Sequence, residues 1–215
     1  MTTILVFDCE TTGLLPKNTT DLFPRMTQLS FALYDTDLGE VQEIYSEYVS
    51  LPADILIPQV VTDVTGITRE LLDEEGRDIK EILQAFYEAY QRADIIVAHN
   101  ISFDETILLK ESAMYCSALE RAMHKKQKPM YCTMKNSIEI CRIQRSNSRG
   151  SYYKFPKLAE LYKYLFGYVP ENLHDARTDV LCCLRCYLKM TADTIIPEAE
   201  FMELLGQTPL CSLWC

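Results

Sequence analysis

Asp8 and Glu10 stand two residues apart behind an apolar run, Thr3-Ile4-Leu5-Val6-Phe7. In a strand that spacing puts both carboxylates on one face. Carboxylates at the end of an apolar strand are costly to bury unless they are paired or bound to metal. The D-x-E spacing by itself is a weak signal, because Asp73-Glu74-Glu75 repeats it. That second copy follows Leu71-Leu72 at a polar helix end with no strand before it, and it reads as solvated surface. Two more acids sit where a helix begins. Asp104 follows a buried strand in Val97-Ala98-His99-Asn100-Ile101-Ser102-Phe103-Asp104, and Asp179 closes Leu173-His174-Asp175-Ala176-Arg177-Thr178-Asp179. Four acids from three separate elements make an oxygen-rich cage suited to Mg²⁺ or Mn²⁺. Two such ions ~4 Å apart support an in-line displacement at phosphorus. A histidine near neutrality can take the proton of the attacking water.

Each position also has an ordinary structural use. Asp104 in a first helical turn is equally a capping residue. Asn100 either orients a carboxylate or caps the same helix, and His99 reads as a structural histidine. Asp175 is the natural N-cap of the last long helix. His174 and Asp179 are five apart, so on one ideal helix they face different ways. They converge only if His174 lies in the connecting loop.

The elements that must hold these residues are legible in the apolar periodicity. Strands are predicted over 3–8, 27–35 and 42–50, an antiparallel meander with a turn at Asp37-Leu38-Gly39. Two more are predicted over 94–98 and 129–132. Helices are predicted over 69–74, 78–92, 102–116, 133–141, 156–166, 175–192 and 198–205, with Pro156 and Gly167 bounding the fifth. Residues 142–155 carry no periodicity and read as a polar basic loop. The alternation of helix and strand after the meander implies an α/β fold, a mixed sheet of three antiparallel strands plus parallel ones, flanked by helices. The 215 residues suit one domain, 1–215, with a short apolar tail at 206–215.

Bulk properties narrow the setting. No stretch approaches ~18 uncharged apolar residues, which predicts no membrane span. The N-terminus lacks a basic leader, and the nine cysteines are an odd number. Together these predict a soluble intracellular protein, in cytoplasm or nucleus, with reduced thiols. Cys183-x-x-Cys186 lacks a matching second ligand pair, so the thiols read as buried helix-face residues rather than a zinc site. The net charge is −10, yet residues 121–157 hold ten Lys/Arg against Glu139 alone, a segment of +9. A basic arm on an acidic body can hold a phosphate backbone. Tyr152, Tyr153 and Phe155 interleave with Arg149 and Lys154, a pattern open to base stacking or to simple loop packing.

The motifs Phe7-Asp8-Cys9-Glu10-Thr11-Thr12-Gly13-Leu14, His99-Asn100-Ile101-Ser102-Phe103-Asp104 and His174-Asp175-Ala176-Arg177-Thr178-Asp179 resemble, in order and spacing, those of the DnaQ-like (DEDDh) 3′→5′ exonucleases. Val64-Thr65-Gly66-Ile67-Thr68 also resembles the family, which often has a histidine where Thr65 stands. The resemblance implies an RNase H-like fold and two divalent ions held by Asp8, Glu10, Asp104 and Asp179. It implies His174 as general base. The sister subgroup has a tyrosine four residues before the last acid, where this chain has Asp175. Thr11, Thr12 and Leu14, with Gly13, Asn100 and Phe103, are implied as substrate-binding, and the amides of the 11–14 turn are placed to face a terminal nucleotide. The expected substrate is the 3′ end of DNA, preferably single-stranded, in proofreading or repair. RNA 3′-end trimming is the alternative, and a catalytically silent binding module on the same fold is a third reading. Proofreading would require a polymerase partner in trans, which the 206–215 tail could dock.

Overall fold

The computed structural model describes residues 2–18, 22–125, 128–170 and 173–206. In chain order the elements are β1 (Thr3–Thr11), β2 (Met26–Asp35), β3 (Glu40–Tyr48), α1 (Gln59–Thr65), α2 (Arg69–Glu75), α3 (Ile79–Arg92), β4 (Ile95–Ala98) and α4 (Ile101–Tyr115). There follow α5 (Ser117–His124), β5 (Met130–Cys132), α6 (Thr133–Asn136), α7 (Ile138–Cys141), β6 (Gln144–Asn147), β7 (Gly150–Tyr153), α8 (Leu158–Phe166), α9 (Ala176–Ala192) and α10 (Glu198–Leu204).

Five strands form one sheet in the order β3-β2-β1-β4-β5. β1 pairs antiparallel with β2, and β2 with β3, while β1–β4 and β4–β5 are parallel. This is the mixed sheet the periodicity predicts. The pleat of β1 divides its side chains between two cores. Leu5, Phe7 and Cys9 join Leu29 and Phe31 of β2 and pack on Phe86, Ile107 and Leu119 from α3, α4 and α5. Ile4 and Val6 join Ala32 and Tyr34 and pack on Leu161, Val180 and Leu184 from α8 and α9. Each Leu, Ile, Val or Phe among them contributes roughly 1.5–3 kcal/mol when fully buried. Asp8 and Glu10 continue the Ile4–Val6 row, so the pleat aims them at the face covered by α9.

The structure corrects several expectations. β1 does not stop at Asp8 but runs on to Thr11. The predicted helix over 133–141 is two short helices meeting at Ser137, where the backbone leaves the helical region. Residues 142–155 are not an irregular loop. Gln144–Asn147 and Gly150–Tyr153 pair antiparallel in a two-stranded ribbon, Gln144 opposite Tyr153 and Asn147 opposite Gly150. All eight residues are exposed. A ribbon wet on both faces has no apolar alternation to betray it. Two further helices carry no prediction. α1 buries none of its residues and so has no stripe, whereas α5 buries Leu119 and Met123 at helical spacing, a signal that was present. No described helix is long and apolar enough to cross a membrane. Residues 207–215 of the apolar tail lie outside the described residues.

Candidate active site

Three acids converge. Carboxylate oxygens of Asp8, Glu10 and Asp179 all lie within 4.8 Å of one another. The strand supplies the first two on one face, and α9 begins beside that face with Asp179 in its first turn. The start of α9 is held in place by β2. Gln28 lies opposite Glu10 in the β1–β2 ladder. Its Nε2 donates to Asp175 Oδ1 at 3.0 Å, and its Oε1 accepts from the Ala176 N–H at 3.3 Å. Asp175 caps the helix as predicted, accepting from the Thr178 N–H and hydroxyl, both at 3.2 Å. Sequence reasoning did not single out Gln28; its signal is a polar residue in a strand buried along its whole length.

Asp104 is placed by a different device. β1 pairs with β4 only as far as Val6–Val97. Beyond that point the Cys9 N–H is available, and it donates to Asp104 Oδ1 at 3.2 Å, as does the Cys9 thiol at 3.2 Å. Burial pushes the thiol well above its usual range, which keeps it a donor. Asp104 therefore reaches back to β1 from the first turn of α4 and is 3% exposed. Asn100 takes a left-handed conformation at the N-cap position but makes no side-chain cap; its Oδ1 accepts from the Ser102 hydroxyl at 3.4 Å.

The electrostatics follow from burying like charges together. Burial first, then Asp104, Asp179 and Glu10, hold the Asp8 carboxyl well above the carboxylate range. Burial and then Asp179 raise Glu10 to about 8. Burial raises Asp104 to about 7 despite the Cys9 hydrogen bonds, and Asp179 likewise to about 7. Like-charged buried carboxyls are tolerated when a cation shares them. All donors in the group are carboxylate oxygens, the set that suits Mg²⁺ or Mn²⁺. Among the described residues this is the one group of three or more acids, cysteines or histidines with metal-ligand spacing. The buried cysteines of α9 do not form another.

His174 sits in the segment before α9, exposed, with a left-handed backbone at φ 85°. This is the off-helix placement that convergence with Asp179 requires. Its backbone N–H points to Asp179 Oδ1 at 3.5 Å. The second D-x-E copy, Asp73 and Glu75, lies exposed on α2, with Asp73 paired to Arg69.

The residues expected to bind substrate divide by environment. The Thr12 N–H does not face outward; it donates to the Arg25 carbonyl at 2.8 Å, and the Thr12 hydroxyl accepts from the Arg25 N–H at 2.9 Å. The Thr11 hydroxyl donates to the Gly13 carbonyl at 2.6 Å. Arg25 is itself gripped by the fully buried Glu111 at 2.8 Å. The two threonines thus shape the turn. The amides of Gly13 and Leu14 have no partner among the described residues, and Leu14 is 86% exposed. Thr12, Gly13 and Leu14 line a groove of about 490 Å³ with Phe23, Ile55 and Leu56. Phe103 packs partly against the core formed with α3 and α4.

His99 is structural, and its protonation can be deduced. Nε2 lies 3.1 Å from the Pro156 carbonyl, which only accepts, so Nε2 carries the hydrogen. Nδ1 then accepts from the Thr133 hydroxyl at 2.9 Å. Burial lowers the ring to about 4, which agrees with a neutral imidazole.

The exonuclease family profile, RNase_T, matches residues 5–187, a span that contains all three motifs. The chain belongs to this exonuclease family. Solved structures agree on the RNase H-like fold. Escherichia coli exonuclease I in complex with a dT13 oligonucleotide aligns at TM-score 0.64 and 19% identity, over 88% of this chain and 41% of that one. The zinc-bound form of the E. coli exonuclease I–ssDNA complex aligns at TM-score 0.64 and 18% identity, over 90% and 42%. This exonuclease-family chain spans about two fifths of the length of those proteins. No curated protein matches the sequence.

Proposed function

We propose that this chain is a metal-dependent 3′→5′ exonuclease of the histidine (DEDDh) subgroup, releasing nucleoside monophosphates from single-stranded 3′ ends of DNA. The observation that carries the reading is the convergence of Asp8, Glu10 and Asp179 within 4.8 Å, with Asp104 fastened to the same strand through Cys9. Asp8, Glu10, Asp104 and Asp179 would hold two Mg²⁺ or Mn²⁺ ions, which would supply neutralisation of the charge that builds up at the reacting phosphate. His174, exposed and off the helix, takes a proton from the attacking water. The water oxygen bonds to phosphorus as the bond to the 3′-oxygen of the penultimate nucleotide breaks, and that oxygen takes up a proton from solvent, to which His174 returns the one it accepted. Gly13 and Leu14, whose amides have no partner among the described residues, offer them to the terminal nucleotide. DNA is favoured as substrate because the structural neighbours were solved with DNA oligonucleotides, dT13 and dA16.

The test uses 5′-labelled strands of DNA and RNA, single-stranded and duplex, with Mg²⁺ or Mn²⁺. The wild type shortens single-stranded DNA from its 3′ end. Asp8→Ala lowers the rate at least about a thousand-fold, because loss of a ligand removes several kcal/mol of charge stabilisation. Turnover that survives this change defeats the assignment of the site. Faster trimming of RNA than of DNA moves the substrate to RNA.

A further inference from the structure

The β6–β7 ribbon stands apart from the two cores, and its composition is unlike the rest of the chain. Residues 142–157 contain five Lys/Arg and no acid, in a chain of net charge −10. Two of the five are committed: Arg142 pairs with Glu139 and Lys154 with Glu160. Arg145 on β6 and Arg149 at the tip have no ion-pair partner among the described residues. The register places Arg145 directly opposite Tyr152. Cross-strand partners share a face of a ribbon, so one face sets a free guanidinium beside an aromatic ring that is 48% exposed. The opposite face carries Ser146 and Ser151, whose hydroxyls meet at 3.1 Å, and Tyr153 beside Gln144.

The foot of the ribbon is tied to the catalytic edge of the sheet. Lys154 N–H donates to the Ile143 carbonyl at 3.0 Å and closes the base. Two residues on, the Pro156 carbonyl is held by His99. His99 directly follows β4, whose C-terminal end points the same way as that of its parallel neighbour β1, the strand carrying Asp8 and Glu10. A ribbon of two exposed strands held at that edge costs conformational entropy and buries little in return, its Tyr152 and Tyr153 being only about half covered, which points to a use outside the chain.

We infer that the β6–β7 ribbon is a strand-gripping arm, in which Arg145 and Arg149 neutralise phosphates and Tyr152 stacks on a base of the single-stranded nucleic acid whose 3′ end lies at the acid cluster. This rests on the exonuclease reading for which end enters, but not for the binding itself. Cation plus ring on one face is the combination single strands require, with a phosphate and a base plane at each step. It also supplies positive charge that the acidic body lacks.

The experiment measures binding separately from turnover. Fluorescence anisotropy of a labelled oligo(dT) strand is recorded with the full chain in EDTA between about 50 and 200 mM salt. Arg145→Ser with Arg149→Ser weakens binding and makes the log–log salt dependence shallower by about 1.4, about 0.7 for each phosphate no longer neutralised. Arg145→Lys with Arg149→Lys keeps the wild-type slope, which a purely structural role for the guanidinium groups would not predict. Tyr152→Ala loses affinity by roughly five-fold or more. Serine variants that bind with wild-type affinity and slope overturn the arm, as does tighter binding of blunt duplex than of single strand. Oligonucleotide bound through the ribbon but never shortened with Mn²⁺ present supports the arm and defeats the exonuclease reading, so the two failures are distinct.

Discussion

The carboxyl cluster is built from residues that would repel one another without a cation. Asp8 and Glu10 are fixed on one face by the pleat, and Asp179 is brought against them by α9. Cys9 contributes in a way its position between the two acids hides, giving both its N–H and its thiol hydrogen to Asp104. His174 has the opposite character, exposed and held in a left-handed conformation between Leu173 and the capped helix. Non-glycine residues tolerate that conformation only at a cost, which fits a side chain placed for a role at the site. His174→Ala is expected to lower turnover by roughly 10²- to 10⁴-fold, the usual contribution of a general base. Melting temperature measured alongside should change little, because the imidazole is exposed. Unchanged turnover would remove His174 from the mechanism.

Between elements, the decisive contact is the clasp of β2 on the N-terminus of α9. Gln28 satisfies a donor and an acceptor there at once, the Ala176 N–H and the Asp175 carboxylate, and its Nε2 also reaches Ser46 on β3 at 3.3 Å. Because it stands opposite Glu10, one side chain ties the first motif to the third. Gln28→Ala leaves the buried Ala176 N–H without its partner, at a cost of about 1–3 kcal/mol. The variant is expected to remain folded, to lose stability by that amount in urea unfolding, and to lose metal-dependent turnover out of proportion to its stability. A variant destabilised as expected yet fully active would show that the clasp serves folding alone. α10 is fastened to α9 by a separate contact, the buried Arg185 with Glu198 at 2.6 Å, less than two helical turns beyond Asp179.

For the molecule as a whole, the acid cluster makes stability depend on pH and metal together. Glu10 sits at about 8 and Asp104 and Asp179 at about 7 in the folded chain, against 4.5 and 3.8 for the free groups. The folded state therefore binds these protons more tightly than the unfolded state. Raising the pH from about 4 to 8 strips them at a cost that only the folded state bears, so the metal-free protein loses stability across that window. On the proposed metal-dependent reading, Mg²⁺ or Mn²⁺ is expected to bind the deprotonated form and to offset the loss, more strongly at pH 8 than at pH 6. Scanning calorimetry in EDTA and in Mn²⁺ at the two pH values checks both statements. A melting temperature in EDTA that rises from pH 5 to pH 8 would contradict the burial of the four carboxyls. The acidic body and the basic stretch at 121–157 divide the surface charge in a way that suits metal cations at one place and a polyanion at another.

Much of this was already written in the chain. Short apolar runs marked β1 and β4, helical periodicity over 78–92 marked α3, and Asp175 and Gly167 announced a helix start and a helix stop, because each of these signals is local. The four acids were legible as candidates for the same reason, since a strand end and a helix start can be read a few residues at a time, whereas His174 became a candidate through the family's motif spacing. The tertiary structure decided what acts at a distance. It closed Asp8, Glu10 and Asp179 to within 4.8 Å, gave the Cys9 N–H to Asp104 across 95 residues and joined Gln28 to Asp175 across 147. It turned Thr12 from an outward amide into a partner of Arg25. It also made a ribbon of residues 144–153, where both faces meet water and no periodicity exists to be read. Periodicity records which side of an element is buried; it does not record which other element covers it, and the site is made of those meetings.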